Sequence, residues 1–242
     1  LSIVTTAYLR RMLSFLKGLY AASPDASFTL PKTEKAFFDE ILKIYSGTAP
    51  ENTNNDTARA QFTRACGVAF EKERKAFYKD PSLLTKTTSI KKDELLAAID
   101  VFMNHLEYSI KANKKDNGLF HSYNILGIGK DTMKVSYLQE MLEGQVAVLS
   151  SKMLSSKEVC EMYTALRNSA MYEKRQNSYM LYPTKELPDF VAKNSVSKAE
   201  AVKYAALKNE LDNGYTAPDA GCLIYNDSVD SSICHFNPDF RN

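Results

Sequence analysis

Apolar positions recur at helical spacing along most of the chain up to about residue 211, and the breaks between the runs mark the joints. A first helix is expected over residues 3–20, where Leu9, Met12, Leu13, Leu16 and Tyr20 fall on one face and read as a core-facing stripe. Ser23-Pro24-Asp25 ends it. The second, over 32–45, starts at Pro31, buries Phe37, Phe38, Ile41, Leu42 and Tyr45, and stops at Gly47. A polar loop over 48–55 leads to an Asn55 or Asp56 cap and a third helix reaching Tyr78, closed by Pro81. Thr88 or Ser89 caps a fourth, which runs through Leu95, Leu96, Ile99, Phe102, Met103, Leu106 and Ile110, with Asn117-Gly118 as its left-handed stop.

From 119 to 136 the pattern shortens to apolar and aromatic runs around Gly127 and Gly129, which reads as extended or irregular chain. Helix resumes over 137–149. Ser155 with Glu158, and Ser197 with Glu200, have capping-box spacing and open helices to about 168 and 211. Residues 178–183 read as extended, and 221–225 with 232–236 as a two-stranded ribbon. The expected fold is therefore mainly α, built of helical hairpins with extended loops and a small β-ribbon near the C-terminus. The sharpest change of composition, near 81–89, divides an N-terminal helical part, 1–81, from a loop-richer helical part, 82–242.

The balance of 31 basic against 29 acidic residues gives no reason to expect a nucleic acid or a membrane as partner. Arg10, Arg11 and Lys17 interrupt the first apolar stretch, so it is too polar to span a bilayer, and it lacks the order of a signal peptide. A cytoplasmic protein is the expectation. Cys66 and Cys160 lie in helical patterns, where a thiol behaves as a small hydrophobe. Cys222 and Cys234 flank a turn-rich stretch and would approach each other in a hairpin, so a disulfide there is open. The chain begins with Leu1 in place of methionine.

Candidate chemistry is sparse. Leu126-Gly127-Ile128-Gly129-Lys130-Asp131 resembles a phosphate loop only superficially, because Asn124 stands where its first glycine belongs and Asp131 where a hydroxyl would meet magnesium. His105, His121 and His235 share no ligand spacing, so no metal is expected. In Phe120-His121-Ser122-Tyr123-Asn124, polar and aromatic groups alternate. Such a run lines a polar pocket or, equally, satisfies its own buried backbone. Glu143 and Gln145 interrupt an apolar helix. An unpaired carboxylate there has a raised pKa and can act as a general acid; alternatively Glu140 and Glu143 face a base such as Arg167.

Four blocks carry a resemblance. They are Phe120-His121-Ser122-Tyr123-Asn124-Ile125-Leu126, the run from Met141-Leu142-Glu143-Gly144-Gln145 to Ser151, Ser178-Tyr179-Met180-Leu181-Tyr182-Pro183, and His235-Phe236-Asn237-Pro238-Asp239-Phe240-Arg241-Asn242. Together they resemble large bacterial cellobiose-phosphorylase-like, or six-hairpin glycosidase-like, proteins, over about residues 90–242. The resemblance implies a segment of a longer carbohydrate-active enzyme, related to glycoside phosphorylases and hydrolases, whose body is an α/α toroid. Its partners would be an oligosaccharide and the rest of its own longer chain, with no cofactor beyond inorganic phosphate as co-substrate. Glu143 and Asp239 are the candidate catalytic carboxylates, and His121, Tyr123, Asn124, Gln145, Tyr182 and Arg241 the candidate substrate-binding residues. The alternative is a non-catalytic helical scaffold or protein-interaction module in which the same blocks pack and lock loops.

Overall fold

A computed structural model describes residues 2–183, 196–197, 202–205, 208–209, 223–226 and 233–236. The chain divides into two compact units, Leu1–Thr184 and Lys185–Asn242. Most of the first is helix: α1 (Ile3–Ala22), α2 (Lys32–Ser46), α3 (Asp56–Lys79), α4 (Lys92–Lys111), α5 (Leu142–Ser150) and α6 (Ser156–Arg167). Their ends follow local chemistry. The Ser2 and Asn55 side chains accept from the first free N–H groups of α1 and α3, and Ser155 and Glu158 close a reciprocal capping box on α6. Gly118 takes the left-handed backbone expected of it (φ 86°), although α4 has already ended at Lys111.

Short antiparallel strand pairs tie the helices together. Strand β1 (Ser27–Pro31) leads directly into α2 and pairs with β2 (Thr87–Lys91), which leads directly into α4. Thr88 and Ser89 are thus strand residues, and the helix they were expected to cap starts at Lys92. Strands β3 (Asn124–Ile128) and β4 (Met133–Tyr137) form a hairpin, so the helix expected from residue 137 begins only at Leu142. A two-residue pair, β5 (Tyr172–Glu173) with β6 (Ser178–Tyr179), follows α6.

The core gathers Ile3 and Ala7 of α1, Ile110 of α4, Leu119 and Phe120, Ala147 and Val148 of α5, Met162 and Leu166 of α6, and Met171. Phe120 and Leu119 are fully buried, and side chains of this size stabilise the fold by about 2–3 kcal/mol each. Helix α1 departs from its expected orientation. Met12 is 55% exposed and Leu9 42%, while Leu13, Leu16 and Tyr20 are half-buried. Arg10, bonded to Glu107, and Lys17, bonded to Asp100, pull the opposite face of α1 onto α4.

In the second unit, β7 (Val196–Ser197), β9 (Ile233–Phe236) and β8 (Leu223–Asn226) form a sheet with β9 central. The ribbon expected from sequence is this β8–β9 pairing. Its register sets Cys234 opposite Tyr225; Cys222 lies outside the described residues. Among the described residues no helix is long and apolar enough to cross a membrane.

Candidate functional site

Two features of the first unit bear on function, a buried lock around the 120–124 loop and a cleft beside it. The lock starts from Gln145, whose side chain is wholly buried. Its Oε1 accepts from Phe120 N (2.9 Å), and its Nε2 donates to Phe120 O (2.7 Å) and Met141 O (3.0 Å). One amide thereby satisfies both backbone groups of a residue that belongs to neither helix nor strand. Gly144 makes the close approach feasible. A Cβ there would lie 2.1 Å from Ser122 Oγ, 2.9 Å from Ser122 Cβ and 3.0 Å from Ser122 Cα. Ser122 Oγ donates to Met141 O (3.1 Å), and Ile3 N donates to Ser122 O (2.9 Å), so α1, the loop and α5 are joined at one point.

The residues singled out from sequence take distinct places around this lock. Glu143 is half-buried in the first turn of α5 and forms no ion pair among the described residues. Arg167 lies instead over the Tyr172 ring (3.7 Å) and bonds Asn177, while Glu140 pairs with Lys115 and accepts from Asn117 Nδ2 (2.8 Å). Tyr123 lies near the Glu143 carboxylate. Desolvation first, then the neighbouring carboxylate, pushes the Tyr123 hydroxyl above its ordinary pKa. His121 stacks on Tyr137 (4.2 Å between centroids) with Nδ1 3.3 Å from Leu138 O, and burial lowers its pKa. Tyr182 is 52% exposed, next to Leu181, whose carbonyl accepts from Leu142 N at the start of α5. Asp239 and Arg241 lie outside the described residues.

Asn124 is the candidate that reaches the cleft. Buried at the start of β3, it donates through Nδ2 to Asn113 Oδ1 (2.7 Å). The cleft, about 510 Å³, lies between α1, α2, α3, α4 and the β3–β4 hairpin. Tyr45, Phe62, Tyr108 and Tyr137 line it with aromatic rings, and Asn54, Asn113 and Asn124 with amides. His105 braces the wall, since its ring stacks parallel to Phe62 (5.8 Å) and its Nε2 sits 3.0 Å from Tyr45 O. Asn54 Nδ2 donates to Tyr108 Oη (2.6 Å). Arg59 also faces the cleft, but its guanidinium is committed to Asp56, Asn54 O and Met133 O, which fastens α3 to β4 and offsets its charge.

Sequence reasoning missed the cleft because Tyr45 belongs to an apolar stripe that reads as core, and neither Phe62 nor Tyr108 stands in a recognisable motif. Among the described residues, no three His, Cys, Asp or Glu side chains gather as metal ligands do. In comparison with known proteins, no family model matches the chain, and no curated protein gives a significant match.

Proposed function

We propose that the chain is a segment of a carbohydrate-active enzyme, related to glycoside phosphorylases and hydrolases, and that it holds part of an oligosaccharide in the cleft. The composition of the cleft wall carries this reading. Aromatic rings offer flat apolar surfaces to the C–H faces of a pyranose, while planar amides offer paired donors and acceptors to its hydroxyls. A volume of about 510 Å³ suits a small neutral ligand, and with Arg59 already paired the described residues of the wall include no spare lysine or arginine to select an anion.

Titration of oligosaccharides into the protein, followed by tyrosine emission, tests the reading directly because the chain has 14 tyrosines and no tryptophan. Binding should weaken roughly tenfold in Tyr108→Ala, about the contribution of one lost aromatic contact with its hydrogen bond. Saturating emission changes that Tyr108→Ala leaves untouched would place the sugar elsewhere, and no change with any oligosaccharide would refute sugar binding.

One observation favours the second reading, a non-catalytic helical module. Gln145, Ser122 and Gly144, from the blocks that carry the resemblance, are occupied in locking a loop. Catalysis by Glu143 separates the two. A glycoside bond cleaved by hydrolysis or phosphorolysis needs a carboxylic acid to protonate the leaving oxygen, so Glu143→Gln should abolish turnover while leaving the fold intact.

A further inference from the structure

The solvent face of α1 bears a stripe unusual for an exposed helix. Tyr8, Met12, Phe15 and Leu19, at spacings of four, three and four, are 45–68% exposed. They fall on one side of the helix, opposite the face that α4 and α5 cover. Beside them runs a groove of about 650 Å³ whose wall includes Tyr8, Met12 and Phe15 and whose rim carries Arg11 and Lys152.

Two residue choices at this face run against local stability. Gly18 sits inside α1 with open space where its Cβ would be, so alanine would fit and would favour the helix by about 1 kcal/mol. Lys152, just past the end of α5, holds the left-handed backbone (φ 58°) that glycine adopts without strain. The helix is smooth where another helix would need to come close, and it keeps a cation where none is needed for the turn.

Charge then narrows the occupant. Helix α1 contains Arg10, Arg11 and Lys17 and no acidic residue. Glu107 and Asp100 neutralise Arg10 and Lys17, whereas Arg11 donates to the neutral Ser150 hydroxyl (2.6 Å), and Lys152 forms no ion pair among the described residues. The rim of the groove is thus positive and uncompensated. A second copy of the same face would bring like charges together. A bilayer surface would need neither the closeness that Gly18 permits nor a groove against the end of α5.

From these observations we infer that the α1 face docks an amphipathic polypeptide helix whose apolar ridge is flanked by acidic residues. Its side chains enter between Met12, Phe15 and Leu19, its backbone crosses α1 near Gly18, and its carboxylates meet Arg11 and Lys152.

Two labelled synthetic helices of about five turns, with identical Leu/Ile ridges flanked by glutamates in one and lysines in the other, test this against the 242-residue chain by fluorescence anisotropy. The glutamate peptide should bind at least roughly tenfold more tightly than the lysine peptide. Met12→Glu and Gly18→Leu should each abolish that difference, and Arg11→Glu with Lys152→Glu should reverse it. All four positions are at the surface, and unchanged circular dichroism would verify that the variants fold. Equal binding of both peptides, binding of neither, or binding indifferent to Gly18→Leu would overturn the inference. So would a concentration-dependent dimer abolished by Met12→Glu, which assigns the face to a second copy. Sedimentation with phosphatidylserine vesicles that Met12→Glu abolishes would assign it to a lipid surface instead.

Discussion

Replacing Gly144 by alanine puts the lock to its most direct test. By intrinsic preference alone the change should stabilise α5, by up to about 1 kcal/mol. The geometry forecasts the opposite. The new methyl would stand 2.1 Å from Ser122 Oγ, 2.9 Å from its Cβ and 3.0 Å from its Cα, all shorter than such contacts normally are. The hydroxyl can swing away only by giving up its bond to Met141 O, at a cost of about 1 kcal/mol. The Cβ and Cα cannot swing, because Ile3 N holds the Ser122 carbonyl at 2.9 Å. Relief therefore requires α5 to retreat, which stretches the three Gln145 bonds. Overpacking of this kind costs about 1–3 kcal/mol, and a contact with backbone on one side belongs at the upper end. Net of the helix preference, the loss should be about 2–3 kcal/mol. With a urea m-value of about 2–3 kcal/mol/M for a protein of this size, the midpoint should fall by roughly 1 M. Ser122→Gly removes the Oγ and Cβ, so the double variant should regain much of the loss, with a coupling energy of at least about 1 kcal/mol. A Gly144→Ala midpoint at or above that of the parent protein would refute the argument.

The other predictions follow from single contacts. Gln145→Leu leaves the Phe120 N–H and C=O buried without partners, at about 1–3 kcal/mol each, and should lower the urea midpoint more than Gly144→Ala does; a smaller loss would mean that other groups or water replace the amide. His121 should titrate below 6.5 in proton NMR, because burial opposes its charged form, and Tyr137→Ala, which uncovers the ring, should bring it back up. The unfolded chain then binds this proton more tightly than the folded one, so the contribution of His121 to stability is complete above pH 6.5 and declines as pH falls through 6.5 towards its folded value. Tyr123 should ionise above 10 in an alkaline absorbance titration, and Glu143→Gln should lower that value by removing the negative charge beside its hydroxyl; no change would place Tyr123 away from Glu143 in solution.

The helices were legible where apolar spacing and a local cap coincide. Asn55 and the Ser155–Glu158 pair lie next to the runs they start, and both bonds form as the spacing implies. Thr87–Lys91 was not legible as strand. Threonine and serine favour caps and strands alike, and what decides between them is Ser27–Pro31, some 60 positions earlier. The start of α5 was missed by a few residues for a similar reason, since Tyr137, Leu138 and Met141 extend the apolar pattern of the helix backwards, and only the pairing of Tyr137 with Asn124 assigns it to a strand. For α1, periodicity found apolar positions but assigned Met12 to the core; the Arg10–Glu107 and Lys17–Asp100 pairs, which set the inner face, are long-range. Gln145 was read as a ligand-binding group because an amide in an apolar helix has two explanations in sequence. Its bonds to Phe120 belong to the structural one.

The lock and the cleft are mechanically connected, which bears on how the blocks carrying the resemblance relate to the proposed sugar binding. Gln145 fixes Phe120, and Ser122, seated on Gly144, fixes the chain two residues before Asn124. Asn124 then bonds Asn113, whose carbonyl accepts from His121 N (3.0 Å) and whose Nδ2 donates to Ser109 O (2.8 Å). The loop is therefore held against the end of α4 at successive points, and of these Ser109, Asn113 and Asn124 form part of the cleft wall. A shift of α5 by a few tenths of an ångström would reach Asn124 through this chain of buried bonds, because close-packed neighbours transmit displacement rather than absorb it. Gly144 and Gln145 thus influence the cleft without lining it. On this argument Gly144→Ala, assayed under conditions where it remains folded, should weaken oligosaccharide binding as well as stability, whereas Val146, exposed on the outer face of the same helix, can be replaced by alanine with little effect on either.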